Sequence, residues 1–465
     1  MRAARIAGWP RDLLLALLGL GVLAISWPAL SALRQGHREF FFYLAFGQAL
    51  LALVAARLVW QAPPSRATLL IVLGAAAVLR LGILFEPPRL SDDIYRYVWD
   101  GRVQAAGINP YRYLPVDLHL AALRDEAIYP HINRRTYALT IYPPMAQMIF
   151  RAVQQGTGSV TGFKACLLLF EAITIGSVMH LLASFGLPRA RVLVYAWNPL
   201  VLWEFSGNGH IDAAMIAFVA LALVARKAER NTLTGILLGA ATLTKFFPLA
   251  LFPALYRRWD WKMPIAFAAT CLAGYLPYLG VGRRVLGFLS IYADEEGMRT
   301  GRYFPLLLAR FVFGNREIPA GIYIGIASLL LAALAARAVW KWNEARGGFL
   351  FSAGVLAFAF TFFLSPQFAW YWTWLAPFLA FLPWPALVPG FLFVALALVH
   401  YGRWFEGGLW RVHPHLPLSL AQLLPAGLAA LALFLLGRKR PRETASEGDS
   451  AGPTSSRPTA PAEQA

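Results

Sequence analysis

The residues between Ser91 and Tyr113, "SDDIYRYVWDGRVQAAGINPYRY", place acids and arginines directly after an apolar run. If a helix begins after Ser91, Asp92 and Asp93 lie in its first turn, where the helix dipole favours acids. That stabilising role does not account for Asp100, which shares a helix face with Asp93, or for Arg96, one turn from Asp92. Gly107 and the following Asn-Pro pair end the helix. Carboxylates beside guanidinium groups predict a site here.

Composition indicates what must hold this helix. Of the 465 residues, 58% are hydrophobic and 14% are charged, whereas soluble domains average about 25% charged residues. Apolar runs long enough to cross a hydrocarbon core recur along the chain, which predicts an all-α polytopic membrane protein with about 13–14 transmembrane helices. The apolar run that begins at Leu13 is too long for the core of a signal peptide, so we expect it to stay as a first span. The net charge of +18 fits arginines and lysines that orient loops and does not indicate a nucleic-acid partner.

Hydropathy predicts where the spans lie. They are expected at residues 12–33, 39–60, 66–85, 162–184, 191–206, 210–226, 231–246, 247–256, 263–281, 318–340, 348–364, 368–383, 384–400 and 418–436. The pair around Lys245–Pro248 is either one broken helix or two short ones. The Pro-, Ser- and Thr-rich tail after Arg440 is expected to be disordered.

The short basic loops predict the orientation. The N-terminus, the loops at 57–66, 184–191, 226–231 and 257–263 and the tail are expected to be cytoplasmic, with 86–162 and 282–317 outside. This requires that residues 142–156 do not cross, and an interfacial helix fits that run better than a span; residues 303–314 are interpreted in the same way. The long outer loop nevertheless carries many arginines, for which an anionic ligand is the natural explanation. They are Arg89, Arg96, Arg102, Arg112, Arg124, Arg134 and Arg135.

Polar residues at the outer ends of the spans point to the same side. They are Glu204, Asn208, His210, Asp212, Lys245 and Gln367, followed by the aromatic run "FAWYWTW". Singly, each polar residue could be an interfacial side chain reaching water, and the aromatic run could be an interfacial belt. Their convergence on one leaflet predicts a shared site.

The segments "DDIYRYVWDGRVQAAGINPY", "YPP", "WNPLVLWEFSGNGHIDA", "LTKFFPLALFP" and "SPQ…WYWTW" occur in this order. From about Arg80 to Trp374 the chain therefore resembles bacterial GT-C glycosyltransferases, most closely the polyprenol-phosphate-mannose-dependent mannosyltransferases, which are like glycosyltransferase family 87. The resemblance implies a catalytic carboxylate at Asp92 or Asp93, with Asp92 the expected base because it matches the first acid of the motif. The implied domains are two extra N-terminal helices (1–61), a catalytic membrane domain (62–400) with an outer catalytic loop (86–162), an outer loop and last helix (401–437) and a disordered cytoplasmic tail (438–465).

The resemblance also implies the reaction. On the outer face the expected donor is a polyprenyl phosphate sugar, with mannose as the expected hexose. Direct displacement of the phosphate by a hydroxyl of a lipid-linked or cell-envelope glycan inverts the anomeric configuration. The expected donor phosphate ligands are Arg96, Arg102 and Lys245. The expected substrate-binding residues are Tyr95, Asp100, Asn109, Tyr111, Tyr142, Asn208, His210, Asp212, Gln367 and Tyr371. No metal or other cofactor is required, although a divalent cation at His210 and Asp212 stays open, and the protein is expected in the bacterial inner membrane with its site on the periplasmic face.

Two other classes of function stay open. A transporter or flippase of a lipid-linked or anionic envelope precursor would also use arginines and buried acids, and Glu171 and His180 could line its path. Against it stands the lack of other ionisable residues in the cytoplasmic halves of the spans. An O-antigen polymerase or ligase would differ in using a pyrophosphate-linked oligosaccharide. An oxidoreductase lacks the histidine pairs that haem needs.

Overall fold

The structure is a computed structural model that describes residues 9–61, 65–298, 303, 305–306, 319–340, 348–366, 368–404 and 427–428. These residues form helices and no strands, so the predicted all-α class is confirmed. The α-helices of seven or more residues are α1 (Trp9–Arg34), α2 (Arg38–Gln61), α3 (Arg66–Leu84), α4 (Asp93–Ala105), α5 (Pro144–Gly156), α6 (Val160–Ser184), α7 (Asp212–Lys227), α8 (Asn231–Thr244), α9 (Lys262–Tyr275), α10 (Leu289–Glu295), α11 (Ala320–Trp340), α12 (Gly348–Leu364) and α13 (Trp384–Ala395).

Within the described ranges, seven helices are long and apolar enough to cross a membrane. They are Pro10–Arg34, Arg38–Gln61, Arg66–Leu84, Val160–Ser184, Lys262–Leu286, Ala320–Trp340 and Trp384–Tyr401, and α12 is a shorter apolar helix. The polytopic membrane class is therefore confirmed.

Three predicted spans are broken into short helical turns. Residues 191–206 are divided among Arg189–Val192, Leu193–Ala196, Pro199–Leu202 and the π-helical turn Trp203–Gly207. Residues 247–256 contain Phe247–Leu251 and Phe252–Leu255, and residues 368–383 contain Ala369–Leu375 and Ala376–Leu379. Proline lies at the first or second position of four of these turns. Proline is tolerated at the start of a helix, but it interrupts a helix that would continue from the preceding residues. The predicted span 418–436 lies almost wholly outside the described residues, as does the interfacial run 303–314, and the tail lies fully outside them.

Contacts at both ends of α1 fix the direction of the first three helices. At its start, Thr68 of α3 donates a hydrogen bond to Asp12 at 2.6 Å. Near its other end, Arg34 pairs with Glu86, which follows α3. The helices α1 and α3 are thus parallel, with α2 running the opposite way between them in sequence. The end of α1, the start of α2 and the end of α3 therefore lie together, where the long loop begins.

Polar side chains inside the bundle are paired with one another. Arg80 of α3 forms a buried ion pair with Glu171 of α6 and donates to the carbonyl oxygen of Ala196 at 2.8 Å. Trp203 Nε1 donates to Gln48 Oε1 at 3.0 Å. Since hydrocarbon offers no hydrogen bonds, such pairing is what keeps polar groups there. Glu171, which a transport path could have used, is bound to a structural arginine.

The loop helix α4 packs against α5 by a close approach of backbones. A Cβ atom at Gly101 would lie 2.6 Å from the carbonyl oxygen of Phe150, so glycine is needed at this crossing. Tyr97 stacks on the Phe150 ring with centroids 4.7 Å apart. The predicted 142–156 helix is observed as α5, with Phe150 buried and Arg151 exposed. This packing fixes the direction in which the first turn of α4 presents its aspartates.

Candidate active site

A cavity of about 770 Å³ lies at the N-terminal end of α4. Its walls come from the loop before α4, from residues 131–143, from the turn after α8, from α10 and from residues 368–371. The predicted site residues that line it are Asp92, Asp93, Tyr95, Arg96, Tyr142, Lys245 and Tyr371. Segments separated by almost 300 residues thus converge on one cavity, as the sequence predicts from their shared position at one end of the spans.

Asp92 and Asp93 begin α4 but are not simple caps. Asp92 is at the N-cap position and its side chain accepts no capping hydrogen bond. Both carboxylates instead accept hydrogen bonds from one amide: Asn133 Nδ2 lies 2.9 Å from Asp92 Oδ1 and 2.8 Å from Asp93 Oδ1. The aspartates therefore face the cavity as a pair held by a residue from the far side of the loop.

The surroundings of Asp92 make it a stronger base than a free aspartate. Burial raises the pKa of the Asp92 carboxyl, and the neighbouring charge of Asp93 raises it further. The hydrogen bond from Asn133 and the positive charge of Arg134 oppose this shift without cancelling it. A carboxylate with a raised pKa that lies in a cavity is suited to accept a proton.

A buried array lies behind Asp93. His210 Nδ1 is 3.8 Å from Asp93 Oδ2, and His210 Nε2 is 3.2 Å from Glu204 Oε2. Glu204 also accepts a hydrogen bond from the Tyr401 hydroxyl at 2.9 Å. The imidazole stacks on Trp370 with centroids 4.4 Å apart. His210 thus forms the floor behind Asp93, where it can orient that carboxylate, and is buried away from the open part of the cavity.

The turn that carries His210 depends on a glycine. Gly209 has a φ of 74°, in the left-handed region that other residues rarely adopt. A Cβ atom there would lie 2.4 Å from the Ile94 side chain of α4. The adjacent Asn208 accepts a hydrogen bond from the Leu90 backbone amide at 3.1 Å. The "GNGHIDA" segment therefore fits directly beneath the start of α4, and Asn208 supports the loop rather than opening into the cavity.

Lys245 supplies a cation at the cavity wall. It follows α8 in extended backbone conformation, and its Nζ atom lies 2.7 and 2.9 Å from the two oxygens of Asp212. The side chain of Asp212 is 2% exposed and that of Lys245 is 16% exposed. The ammonium also lies 4.2 Å from the centre of the Tyr371 ring. Asp212 therefore holds Lys245, and Lys245 is the member of the pair that reaches the cavity.

Other predicted site residues hold the loop together and do not line the cavity. Arg102 bonds to Asp125 and to the carbonyl oxygen of Leu123. Asn109 donates to the carbonyl oxygen of Tyr278 at 3.1 Å. The Tyr111 hydroxyl donates a hydrogen bond to the carbonyl oxygen of Tyr142. The Asp100 carboxylate accepts hydrogen bonds from Arg96 and Gln147. Arg96 lines the cavity, with its Nε bound to Asp100 and its Nη1 bound to the carbonyl oxygen of Ala138. Gln367 lies outside the described residues.

Several cavity residues had no signal in the sequence. Asn133 and Tyr292 are distant from every motif, and Tyr292 is joined to Tyr371 by a hydroxyl–hydroxyl contact of 2.5 Å. Arg38 of α2 also lines the cavity, as does Arg89, which is one of the loop arginines for which the sequence predicts an anionic ligand. Within the described part of the chain, Arg89 makes no hydrogen bond or ion pair. Most other loop arginines bind protein groups, so only part of the loop's positive charge is left for an anionic ligand.

The residues offer little support for a bound metal. Among the described residues, no group of three or more histidine, cysteine, aspartate or glutamate side chains could hold a metal ion. Asp212 is engaged with Lys245, and His210 faces Asp93 and Glu204.

The fold and the cavity together define a polytopic helical membrane protein with a carboxylate-lined site at one end of its bundle. The family model described as the alpha-(1->6)-mannopyranosyltransferase N-terminal domain matches residues 12–259, more than half of the 465 residues. The chain belongs to this family and is a mannosyltransferase. The match begins within α1, so the first two helices are part of the family's domain. A comparison with curated proteins finds no match.

Proposed function

We propose that the protein transfers mannose from a polyprenyl phosphate donor to a lipid-linked or cell-envelope glycan on the outer face of the bacterial inner membrane, with inversion at the anomeric carbon. The observation that carries the proposal is the pair of aspartates at the start of α4, which lines the same cavity as Lys245. A base for the acceptor and a cation for the leaving phosphate are the two groups that such a transfer needs.

Asp92 is the proposed base. It takes the proton of the acceptor hydroxyl while that oxygen forms a bond to the anomeric carbon. The bond from the anomeric carbon to the phosphate oxygen breaks, and the phosphate leaves with the electron pair. Because the acceptor attacks opposite the leaving group, a β-linked donor gives an α-linked product. Asp93, held by Asn133 and backed by His210, orients the acceptor or a neighbouring cation.

The donor's phosphate is assigned to the cationic wall of the cavity. Lys245 reaches the cavity and Arg89 makes no protein hydrogen bond or ion pair within the described ranges, whereas Arg102 binds Asp125 away from the cavity. Lys245 and Arg89 are therefore the proposed phosphate ligands, with Arg96 contributing from beside them. Tyr95 and Tyr371 also line the cavity, where they are proposed to contact the sugar.

The distribution of cations supports an outer location for the site. At the opposite end of the bundle, Arg57 lies over the Trp384 ring and Arg191 over the Trp60 ring. Lys227 lies over Phe185 in the same manner. These basic residues lie in or beside short loops, and short loops rich in lysine and arginine face the cytoplasm in most membrane proteins. The cavity end, where the long loop begins, then faces outward, and a lipid-anchored donor is the form in which an activated sugar is present there.

The test of the reaction is transfer by the purified protein in detergent. We expect mannose to move from labelled polyprenyl phosphate mannose to a glycan acceptor, with other polyprenyl phosphate hexoses used less well. Transfer should persist in EDTA, since no metal is proposed. Transfer from no donor, together with substrate flux in liposomes, would contradict the proposal and favour a transporter.

The orientation is tested separately by cysteine labelling. In a variant with Cys166 and Cys271 replaced, a cysteine at His119 in the long loop should react with an impermeant reagent in intact cells or spheroplasts. A cysteine at Arg258, in a short basic loop, should react only after permeabilisation. Labelling of Arg258→Cys in intact spheroplasts would overturn the proposed side of the membrane.

A further inference from the structure

Asn133 is joined to both aspartates through one amide nitrogen. Two adjacent carboxylates repel each other, and each needs hydrogen-bond donors to stay ionised in a partly buried place. The two hydrogens of Asn133 Nδ2 go to Asp92 at 2.9 Å and to Asp93 at 2.8 Å. One side chain therefore offsets the repulsion and fixes the spacing of the pair.

The residue after Asn133 ties this loop to a second segment of the chain. Arg134 Nε lies 2.5 Å from Glu295 and Arg134 Nη2 lies 2.9 Å from Glu296. The charges of these two glutamates raise the pKa of the Arg134 guanidinium although burial opposes its charge. The guanidinium also lies 5.9 Å from the centre of the Tyr292 ring of α10.

The backbone at Arg134 is set for this double engagement. Its φ of 53° is in the left-handed region that non-glycine residues rarely adopt, and such a conformation persists only where surrounding contacts hold it. Consecutive side chains can thereby bind in different directions: Asn133 contacts the aspartates and Arg134 contacts α10. The backbones of the two segments also approach closely nearby. A Cβ atom at Gly287 would lie 1.8 Å from the carbonyl oxygen of Thr140.

We propose that Asn133 is a positioning residue that holds Asp92 and Asp93 in their shared orientation, and that the ion pairs of Arg134 with Glu295 and Glu296 hold Asn133 in place. The inference rests on the proposed function, because it concerns the orientation of the proposed base. It assigns a role in turnover to residues that act through the proposed base and do not themselves accept or donate the transferred proton.

The direct test compares Asn133→Ala and Asn133→Asp with the wild-type protein in the mannose-transfer assay. Asn133→Ala should lower kcat by about 10- to 100-fold, because a misplaced catalytic group loses rate on this scale. The KM for the donor should stay within about threefold, since the phosphate site is untouched. Asn133→Asp keeps the size of the side chain but replaces its donors with a third negative charge, so its kcat should fall further.

The pH profile separates positioning from general damage. In Asn133→Asp the added charge raises the pKa of the aspartates, so the acidic limb of kcat should move to higher pH. The other ionisable groups around the pair are left in place in both variants. They are Arg89, Tyr95, Arg96, Tyr97, His131, Arg134, Tyr142, His210, Asp212, Lys245, Tyr292, Glu295 and Glu296. An unchanged limb in Asn133→Asp would contradict the proposal.

Arg134→Ala and Arg135→Ala form a matched pair for the second part. Arg135 is the adjacent residue and carries the same charge, but it bonds to the carbonyl oxygen of Pro130 and does not line the cavity. Arg134→Ala should lower kcat about tenfold at unchanged donor KM, and Glu295→Gln with Glu296→Gln should do the same, while Arg135→Ala should stay near the wild type. Equal kcat values for Arg134→Ala and Arg135→Ala would overturn the assignment of Arg134.

The outcomes distinguish this inference from the proposed function. If Asp92→Asn is inactive and Asn133→Ala and Asn133→Asp both turn over within about twofold of the wild type, the positioning role fails and the base stands. If the wild-type protein transfers no mannose, the proposed function fails and this inference falls with it. Melting temperatures show whether a variant has folded, and the isosteric Asn133→Asp serves where Asn133→Ala does not.

Discussion

Replacing Lys245 and Asp212, singly and together, separates structural from chemical roles at the cavity wall. Lys245→Met keeps the length of the side chain and removes its charge, and Asp212→Asn keeps the shape of the partner. In Lys245→Met the carboxylate of Asp212, which is 2% exposed, loses the cation at 2.7 Å. In Asp212→Asn the ammonium is left next to the cavity, where water reaches it.

The distances give the size of the effect. Two unit charges at that separation attract by about 6 kcal/mol at an effective dielectric constant of 20, and removing one partner of a buried pair costs about 3–5 kcal/mol of unfolding free energy. We expect Lys245→Met to lose an amount in this range and Asp212→Asn to lose less. The double variant leaves no buried charge and should recover most of the loss.

Activity should not follow stability in this set. If the Lys245 ammonium stabilises the leaving phosphate, its removal costs about 10²- to 10³-fold in kcat/KM for the donor, whether or not Asp212 is also changed. The measurements are thermal melting in detergent and initial rates at varied donor concentration. Recovery of transfer along with stability in the double variant would refute the phosphate role. An unchanged melting temperature in Lys245→Met would refute the electrostatic argument itself.

Three further outcomes are expected. Burial raises the pKa of Asp92, so kcat should fall as the pH drops through a value above the ordinary aspartate pKa of about 3.9. Asp92→Asn should abolish this acidic limb of the pH profile, and a limb that persists in the variant would belong to another group. Arg102→Ala should leave donor KM within about twofold, because Arg102 binds Asp125 and the Leu123 carbonyl oxygen and does not line the cavity, and a tenfold rise would return Arg102 to the donor site. Arg96→Ala should lower both the melting temperature and donor use. Arg96→Lys should recover only part of each, because an ammonium lacks the planar guanidinium that donates to both Asp100 and the Ala138 carbonyl oxygen; full recovery would show that charge alone suffices.

Local signals predicted the frame of the fold. The long apolar runs predicted α1, α2, α3 and α6 to within three residues at each end, because hydrophobic length is a property of the segment itself. The end of α4 followed from Gly107, whose φ of 76° only glycine adopts readily. The runs at 191–206 and 368–383 were predicted as single spans and are broken, since their hydropathy is the same whether a proline begins a new turn or not. Of the two alternatives around Lys245–Pro248, the one observed is separate short helices, because α8 ends before Lys245 and the chain then returns so that Arg257 pairs with Glu229 beside the start of α8.

The site could be predicted only in part. Asp92, Asp93 and Lys245 converge because all lie at one end of the bundle, which charge and span direction determine. Asn133 could not be found, since its contact with the aspartates depends on how a loop 40 residues long folds back. Arg102 lies on the same helix as the aspartates, but its pairing with Asp125 is a loop contact that helical spacing does not reveal.

The central claim is that an aspartate at the start of α4 is the base for mannose transfer. The most direct measurement is turnover of labelled polyprenyl phosphate mannose by Asp92→Asn, Asp93→Asn and Asp100→Asn, each with its melting temperature. Asp92→Asn should fold, bind donor and lose about 10²- to 10⁴-fold in kcat, the usual share of general base catalysis. Asp100→Asn, changed behind the cavity in contact with Arg96 and Gln147, should affect stability more than turnover. Normal turnover in both Asp92→Asn and Asp93→Asn would contradict the account.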